Sequence, residues 1–78
     1  MERTELLKQI NDVFVDTLDN EEIILQETTT ANDVEDWDSL THIMLVVAVE
    51  KKFKLKFTSK EILSWQNVGE MMDCILTK

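Results

Sequence analysis

The stretch DSLTHIMLVVAVEKKF, Asp38 to Phe53, predicts the central helix of this 78-residue chain. Its apolar residues recur at three- and four-residue spacing, and it contains neither glycine nor proline. Asp38 precedes the first apolar residue and is a favoured N-cap, because its carboxylate accepts hydrogen bonds from the N–H groups of a helix start. We therefore expect a helix from Ser39 to about Phe53.

This predicted helix has two apolar faces, although a helix on a domain surface needs only one. One face runs the full length of the helix and contains His42, Leu45, Val46, Val49 and Phe53. The other face stops at Lys51 and contains Leu40, Ile43, Met44 and Val47. We assign the longer face to the core and expect the shorter one to be an exposed patch that binds a partner. The alternative is that the first or third helix covers this patch.

Three further helices are predicted on either side of the central one. The first, of about 15 residues, has an apolar face made of Leu6, Leu7, Ile10, Val13, Phe14 and Leu18. Thr58 and Glu61 have the spacing of a capping box, which predicts the start of a short third helix. Asn67 and Glu70 repeat this spacing at the start of a fourth helix, whose expected inward face contains Val68, Met71, Met72, Ile75 and Leu76.

A long connector, from about Asp19 to Trp37, joins the first two predicted helices. Its polar run TTTANDVED argues against a regular helix, although a short turn around Glu21–Leu25 is allowed. Its apolar residues should pack back on the core, and these are Ile23, Ile24, Leu25, Val34 and Trp37. The fold class that follows is all-α, with residues 1–78 as a single domain. It is a small four-helix bundle with a long connector between the first and second helices and a short third helix.

The charge is acidic and unevenly distributed. The net charge is −8, with 13 acidic against two basic residues in 1–50 and three acidic against six lysines in 51–78. The acidic part would repel a phosphate backbone, so we expect no nucleic acid and instead a basic protein partner. One cysteine, Cys74, excludes an internal disulfide. The start MERTELLKQI is no secretory signal and no apolar run is long enough to span a membrane, so a cytoplasmic monomer is expected.

Several residues suggest a catalytic or metal site, but each pattern is incomplete. Ser39 and His42 have nucleophile–base spacing, yet a chain this short can hardly add the orienting acid, oxyanion site and dry pocket, so no enzyme is expected. The acids from Asp33 onward lack the glycine and glutamate of a calcium loop, which argues against a metal site. His42 is interpreted as a helix-face residue with a local hydrogen bond. Cys74 and Trp65 are interpreted as packing residues.

Ser39 is predicted to be the first residue of the second helix. There its hydroxyl would lie near unpaired backbone N–H groups, at the positive end of the helix dipole. A phosphate ester on that hydroxyl would be stabilised. The pair Asp38–Ser39 is also ordinary helix-start chemistry, so both readings stay open at this point.

The motif Asp38–Leu40, followed by an apolar helix ending in Phe53, resembles the acyl carrier protein family. VED at Val34–Asp36 resembles the residues just upstream of that motif, and Asn67–Val68 resemble the start of the family's last helix. The resemblance implies that Ser39 carries a 4′-phosphopantetheine arm from coenzyme A, with Asp38 and Leu40 completing the attachment motif. The arm would hold acyl intermediates as thioesters in fatty acid, polyketide or related specialised biosynthesis. The implied partners are a phosphopantetheinyl transferase and acyl-activating, chain-extending or acyl-transferring enzymes.

Two departures from the family pattern point to a specialised member. Trp37 stands where fatty-acid-synthesis members usually have glycine, and the second helix has Glu50 as its one acid before a lysine-rich end. Docking is therefore expected to rely on Leu40, Ile43, Met44 and Val47, with negative charge from Asp33, Glu35, Asp36 and Asp38. The alternative function is an unmodified helical adaptor that binds a partner through the same four apolar side chains.

Overall fold

Four helices form in residues 2–78, the part of the chain that the computed structural model describes. They are α1 (Arg3–Leu18), α2 (Ser39–Phe53), α3 (Ser59–Ser64) and α4 (Val68–Leu76). The predicted all-α fold is confirmed, including the long connector between α1 and α2 and the short third helix. None of the helices in the described part is long and apolar enough to cross a membrane.

The helix starts follow from their capping residues. The Asp38 carboxylate accepts hydrogen bonds from the backbone N–H groups of Leu40 and Thr41, at 3.0 and 2.9 Å. Thr58 and Glu61 form the predicted capping box, with Glu61 N donating to Thr58 Oγ1 and Thr58 N donating to Glu61 Oε1. These bonds satisfy N–H groups that a helix start leaves without partners inside the helix.

The start of α4 has half of the expected capping box. Asn67 Oδ1 accepts from Glu70 N at 2.9 Å, as predicted. The Glu70 carboxylate, however, accepts from the backbone N–H of Gln66 and not from that of Asn67. The spacing therefore predicted the helix start correctly. It was wrong about the hydrogen-bond partner of the Glu70 side chain.

The core lies where the apolar faces of α1, α2 and α4 meet. Its helical members are Leu6, Ile10, Val13 and Phe14 from α1, Leu45, Val46 and Val49 from α2, and Val68, Met71, Met72 and Ile75 from α4. The prediction was wrong for Leu76, which is 41% exposed. Leu76 lies about 40° further round the helix than Met72, at the last residue of α4 and beyond the edge of the buried stripe.

The connector packs on the core through alternate residues. Ile23, Leu25 and Trp37 are buried as predicted, whereas Ile24 is 83% exposed, so its expected packing was wrong. The side chain of Asn11 anchors this segment to α1, because its Nδ2 donates to Ile23 O and its Oδ1 accepts from Leu25 N. Successive side chains of an extended segment point to opposite sides, which turns Ile24 to solvent.

The connector also caps α4 through its backbone. Val68 N donates to Thr29 O at 2.9 Å, and Gly69 N donates to Glu27 O at 2.8 Å. A Cβ atom on Gly69 would lie 2.9 Å from that same Glu27 oxygen, so a side chain cannot be added there without displacing backbone. The position of the chain's one glycine therefore reflects a close approach of two segments.

Candidate functional site at the start of the second helix

Ser39 is the first residue of α2, and its side chain is exposed. No hydrogen bond within residues 2–78 involves its hydroxyl, and the connector does not cover it. The hydroxyl therefore stands at the surface at a fixed point of the fold. An enzyme that approaches this end of α2 can reach it without any rearrangement of the chain.

Asp38 and Thr41 hold the helix start rigidly. Asp38 N donates to Thr41 Oγ1 at 2.7 Å, while the Asp38 carboxylate accepts from Thr41 N, which closes a reciprocal capping box. The pKa of the Asp38 carboxyl is lowered, chiefly because the Thr41 backbone N–H donates to it. The carboxylate is therefore ionised at neutral pH and keeps the cap closed.

The cap changes one expectation about Ser39. The backbone N–H groups of Leu40 and Thr41 already donate to Asp38, so they are not the unpaired donors that the helix start was expected to offer a phosphate. What remains at Ser39 is the positive end of the α2 dipole and open solvent. A phosphate ester on Ser39 would accordingly extend outward and leave the capping bonds intact.

Trp37, His42 and Trp65 form an aromatic cluster behind Ser39. Trp37 Nε1 donates to His42 Nδ1 at 3.1 Å, and His42 Nε2 lies 3.3 Å from Ile62 O. His42 Nδ1 accepts the hydrogen bond from Trp37, so this nitrogen carries no proton. The ring proton is therefore on Nε2, which donates to the Ile62 carbonyl. The ring of Trp65 meets that of His42 edge-on, at 6.0 Å between centroids. The local hydrogen bond predicted for His42 is confirmed.

The contacts of His42 in this cluster argue against a serine–histidine catalytic pair. Both ring nitrogens of His42 are engaged, by Trp37 and by Ile62, so neither is directed at the Ser39 hydroxyl. Trp37 is itself a core residue, 7% exposed, with its ring edge-on to Phe14 at 5.0 Å. The tryptophan before the motif thus links the connector to α1 and α2, and His42 makes the contact with α3.

An open cleft of about 720 Å³ lies beside Ser39, between the end of the connector, the start of α2 and α3. Its walls are largely aromatic and aliphatic and include Trp37, His42, Ile43, Ile62, Leu63 and Trp65. Ser39 and Asp38 stand at its rim.

The second apolar face of α2 is exposed, as predicted. Leu40, Ile43, Met44 and Val47 are 73%, 54%, 47% and 42% exposed, respectively. Neither α1 nor α3 covers them, so the alternative of a covered patch was wrong. The opposite face is buried at Leu45, Val46 and Val49 and half-buried at His42 and Phe53.

Acidic side chains precede Ser39 in the segment that leads into α2. Glu35, Asp36 and Asp38 are exposed, with Asp36 Oδ2 accepting from Asn20 Nδ2 at 3.1 Å. Asp33 is engaged in a local turn, where its carboxylate accepts from the backbone N–H of Thr30. Among residues 2–78 no group of three or more His, Cys, Asp or Glu side chains is arranged to hold a metal ion.

The thiol of Cys74 is partly buried and hydrogen-bonded. The Cys74 thiol donates to Glu61 Oε2 at 3.2 Å, and burial raises the pKa of this thiol. A thiol with a raised pKa is protonated at neutral pH and is a weak nucleophile. The interpretation of Cys74 as a packing residue is consistent with this environment.

Sequence reasoning missed two contributors to this site. Thr41 closes the cap with its hydroxyl, and its signal was the three-residue spacing from Asp38, which is usually filled by Glu or Gln. Ile62 supplies a backbone carbonyl to His42, and no sequence pattern marks such a contact.

The chain is similar to a solved structure over most of its length. The solution NMR structure of a holo acyl carrier protein from Geobacter metallireducens superposes with a TM-score of 0.86 at 36% sequence identity. The match covers 92% of this chain and 83% of that chain. No family model matches the sequence, and no curated protein matches it. The likeness to the solved structure thus extends to sequence as well as to fold.

Proposed function

Because the chain belongs to the acyl carrier protein family, we propose that it holds acyl groups as thioesters on a 4′-phosphopantetheine arm joined to the hydroxyl of Ser39. Proteins of this family are carriers and not enzymes, so the reactions of the acyl group take place on partner enzymes. The observation that carries the proposal is the exposed Ser39 hydroxyl at the first residue of α2, directly after the Asp38 cap. The solved relative, a holo acyl carrier protein, supports it.

The residues around Ser39 fit such an arm. The hydroxyl lies at the surface, and the capping bonds that fix it are made by Asp38 and Thr41, which attachment does not disturb. When bound, the arm supplies a thiol that forms the thioester with the cargo. The chain itself supplies a rigid attachment point, negative charge at Glu35, Asp36 and Asp38, and a surface for partner enzymes.

The cleft beside Ser39 supports an apolar cargo. Its lining includes two indole rings, from Trp37 and Trp65, and the aliphatic side chains of Ile43 and Leu63. Met71 and Met72, by contrast, are fully buried in a closed core. We therefore propose that any shelter for the cargo lies in this open cleft and not among the core methionines. Fatty acyl and polyketide intermediates both have apolar parts of this kind.

The partners proposed from this surface are a phosphopantetheinyl transferase and acyl-activating, chain-extending or acyl-transferring enzymes. They would contact Leu40, Ile43, Met44 and Val47, which form a continuous exposed apolar strip along α2. Burial of an exposed apolar surface is a usual driving force for protein association. The tryptophan before the motif and the lysine-rich end of α2 favour a specialised pathway over general fatty acid synthesis.

Attachment of the arm is tested by mass spectrometry. The purified chain is incubated with coenzyme A and a phosphopantetheinyl transferase of broad specificity. We expect a single mass increase of one arm, located on Ser39 by peptide mapping, and none in Ser39→Ala.

The matched control is Ser59→Ala, because Ser59 is also an exposed first residue of a helix after a capping side chain. This variant should be modified like the natural chain. An unmodified natural chain, or an arm on any other residue, would contradict the proposal. An adaptor, in contrast to a carrier, would keep its full activity in Ser39→Ala.

A further inference from the structure

The end of α2 furthest from Ser39 carries a cluster of lysines around a small pocket. The pocket, of about 310 Å³, is lined by Val47, Glu50, Lys51, Lys54, Leu55 and Lys56. The salt bridges formed within residues 2–78 involve Arg3 and Lys78, and none involves these three lysines. Their charges are therefore available to a binding partner.

The backbone after α2 holds the lysines around the pocket. Lys54 ends the helix in the left-handed conformation, with φ 56° and ψ 48°, and its N–H donates to Glu50 O. Leu55 N also donates to Glu50 O, at 3.1 Å. The Glu50 carboxylate, the one acid of the pocket, accepts from Phe57 N at 2.8 Å. That bond draws the acid toward the backbone and fixes the segment that bears Lys56.

The stability of α2 explains only part of this arrangement of lysines. A lysine in the last turn favourably opposes the helix dipole, which accounts for Lys51. Lys54 occupies the left-handed position after a helix, where glycine is the usual residue, and Lys56 lies beyond the helix altogether. The dipole effect falls off within the last turn, so it does not account for Lys56.

The pocket continues the apolar strip of α2 that begins at Leu40, next to Ser39. Val47 and Lys51 also line a neighbouring depression together with Ile43, Met44 and Ala48. From Ser39 to Lys51 is twelve residues of helix, or about 18 Å at 1.5 Å per residue. An interface of ordinary size, about 800 Å² per partner, covers both ends. This surface of α2 is acidic at the end near Ser39 and basic at the end with the pocket.

We propose that the pocket of Val47, Lys51, Lys54, Leu55 and Lys56 docks an acidic segment of a partner protein, with an apolar side chain in the pocket and carboxylates against the lysines. The inference deepens the proposed carrier function, on which it rests for the identity of the partner as an enzyme that acts at Ser39. Opposite charges at the two ends of one interface fix the direction in which the partner lies along α2. They also repel a partner whose docking surface is basic throughout.

The test uses the isotope-labelled chain and two synthetic amphipathic peptides, one with leucine and glutamate and one with lysine in place of glutamate. With the acidic peptide we expect amide shift changes centred on Val47, Lys51 and Leu55. The double variant Lys51→Glu, Lys56→Glu should weaken this binding at least about tenfold, as loss of close charge pairs does at interfaces. The milder pair Lys51→Gln, Lys56→Gln should weaken it less.

The matched control is Lys52→Glu, Lys60→Glu, which makes the same change in net charge at exposed lysines outside the pocket. It should alter the affinity less than about twofold, because these exposed side chains lie outside the pocket and would stay in solvent, where salt weakens their interaction with the peptide. An equal effect of both double variants would overturn the inference, since net charge alone would then explain it.

Three other outcomes would also overturn it. They are no shift changes with the acidic peptide at millimolar concentration, a preference for the basic peptide, and binding to phosphatidylglycerol vesicles that the pocket variants abolish. Loading of Ser39 by the transferase is measured separately by mass. Loading without peptide binding refutes the docking pocket alone, whereas peptide binding without loading refutes the carrier function alone.

Discussion

Replacing Gly69 by alanine tests the contact between the connector and α4. In the exposed interior of a helix, alanine is more stable than glycine by about 0.5–1 kcal/mol. At Gly69 the added Cβ would lie 2.9 Å from the backbone oxygen of Glu27 and 3.3 Å from Asn67 Oδ1. Helix propensity and packing therefore predict opposite signs for the change in stability.

The packing effect should be the larger of the two. Relief of the clash requires the connector to move away, which lengthens the bonds from Val68 N to Thr29 O and from Gly69 N to Glu27 O. Two such hydrogen bonds contribute about 1–3 kcal/mol together. Subtraction of the propensity gain leaves a loss of about 0–2.5 kcal/mol, and we expect Gly69→Ala to destabilise the fold by about 1 kcal/mol, near the middle of that range. In a domain of this size, 1 kcal/mol corresponds to a fall in Tm of roughly 4–8 °C.

Thermal and urea unfolding, followed by circular dichroism, measure this difference. The control is Thr4→Ala, an exposed position in α1 where the same residue is introduced without a close neighbour and where the change should stay within about 0.5 kcal/mol. Hydrogen exchange at Val68 should accelerate in Gly69→Ala and not in the control. A Tm that rises in Gly69→Ala would refute the close approach, because helix propensity alone would then account for the result.

Three further predictions concern the site and its surroundings. Ile43→Glu or Val47→Glu should weaken acyl transfer by partner enzymes while circular dichroism stays unchanged; a loss of helicity would mean that the faces of α2 are assigned wrongly. Trp37→Phe removes the N–H that donates to His42 and also deletes buried ring atoms, so urea unfolding should show a loss of at least about 1 kcal/mol, and unchanged stability would contradict the hydrogen bond. The pKa of Glu61 is lowered from 4.5 to about 2, chiefly because a backbone N–H donates to it. The stability that this group contributes is therefore present above pH 4.5 and lost as the pH falls toward 2. Glu61→Gln should flatten that part of a Tm-against-pH curve, and an unchanged curve would refute the assignment.

Local sequence signals predicted the helices well because capping and periodicity act within a few residues. Asp38, Thr58 and Asn67 each mark a helix start through hydrogen bonds to backbone N–H groups two or three residues away. The errors in predicted burial were Ile24, in the middle of the apolar run Ile23–Leu25, and Leu76, at the end of α4. Whether such a residue is buried depends on which other segment packs there, and that is absent from a local pattern.

The candidate site divides in the same way. The position of Ser39 at the start of α2 and the presence of two apolar faces on that helix follow from spacing along one chain segment. Which of the two faces is exposed was decided by the packing of the other helices. The bond from Trp37 to His42, the carbonyl of Ile62 and the cleft they border depend on three segments meeting. The same holds for Gly69, whose lack of a side chain matters only because Glu27 approaches it. Interactions within one helical turn are encoded in short sequence patterns, whereas contacts between distant segments arise only once the whole core has packed.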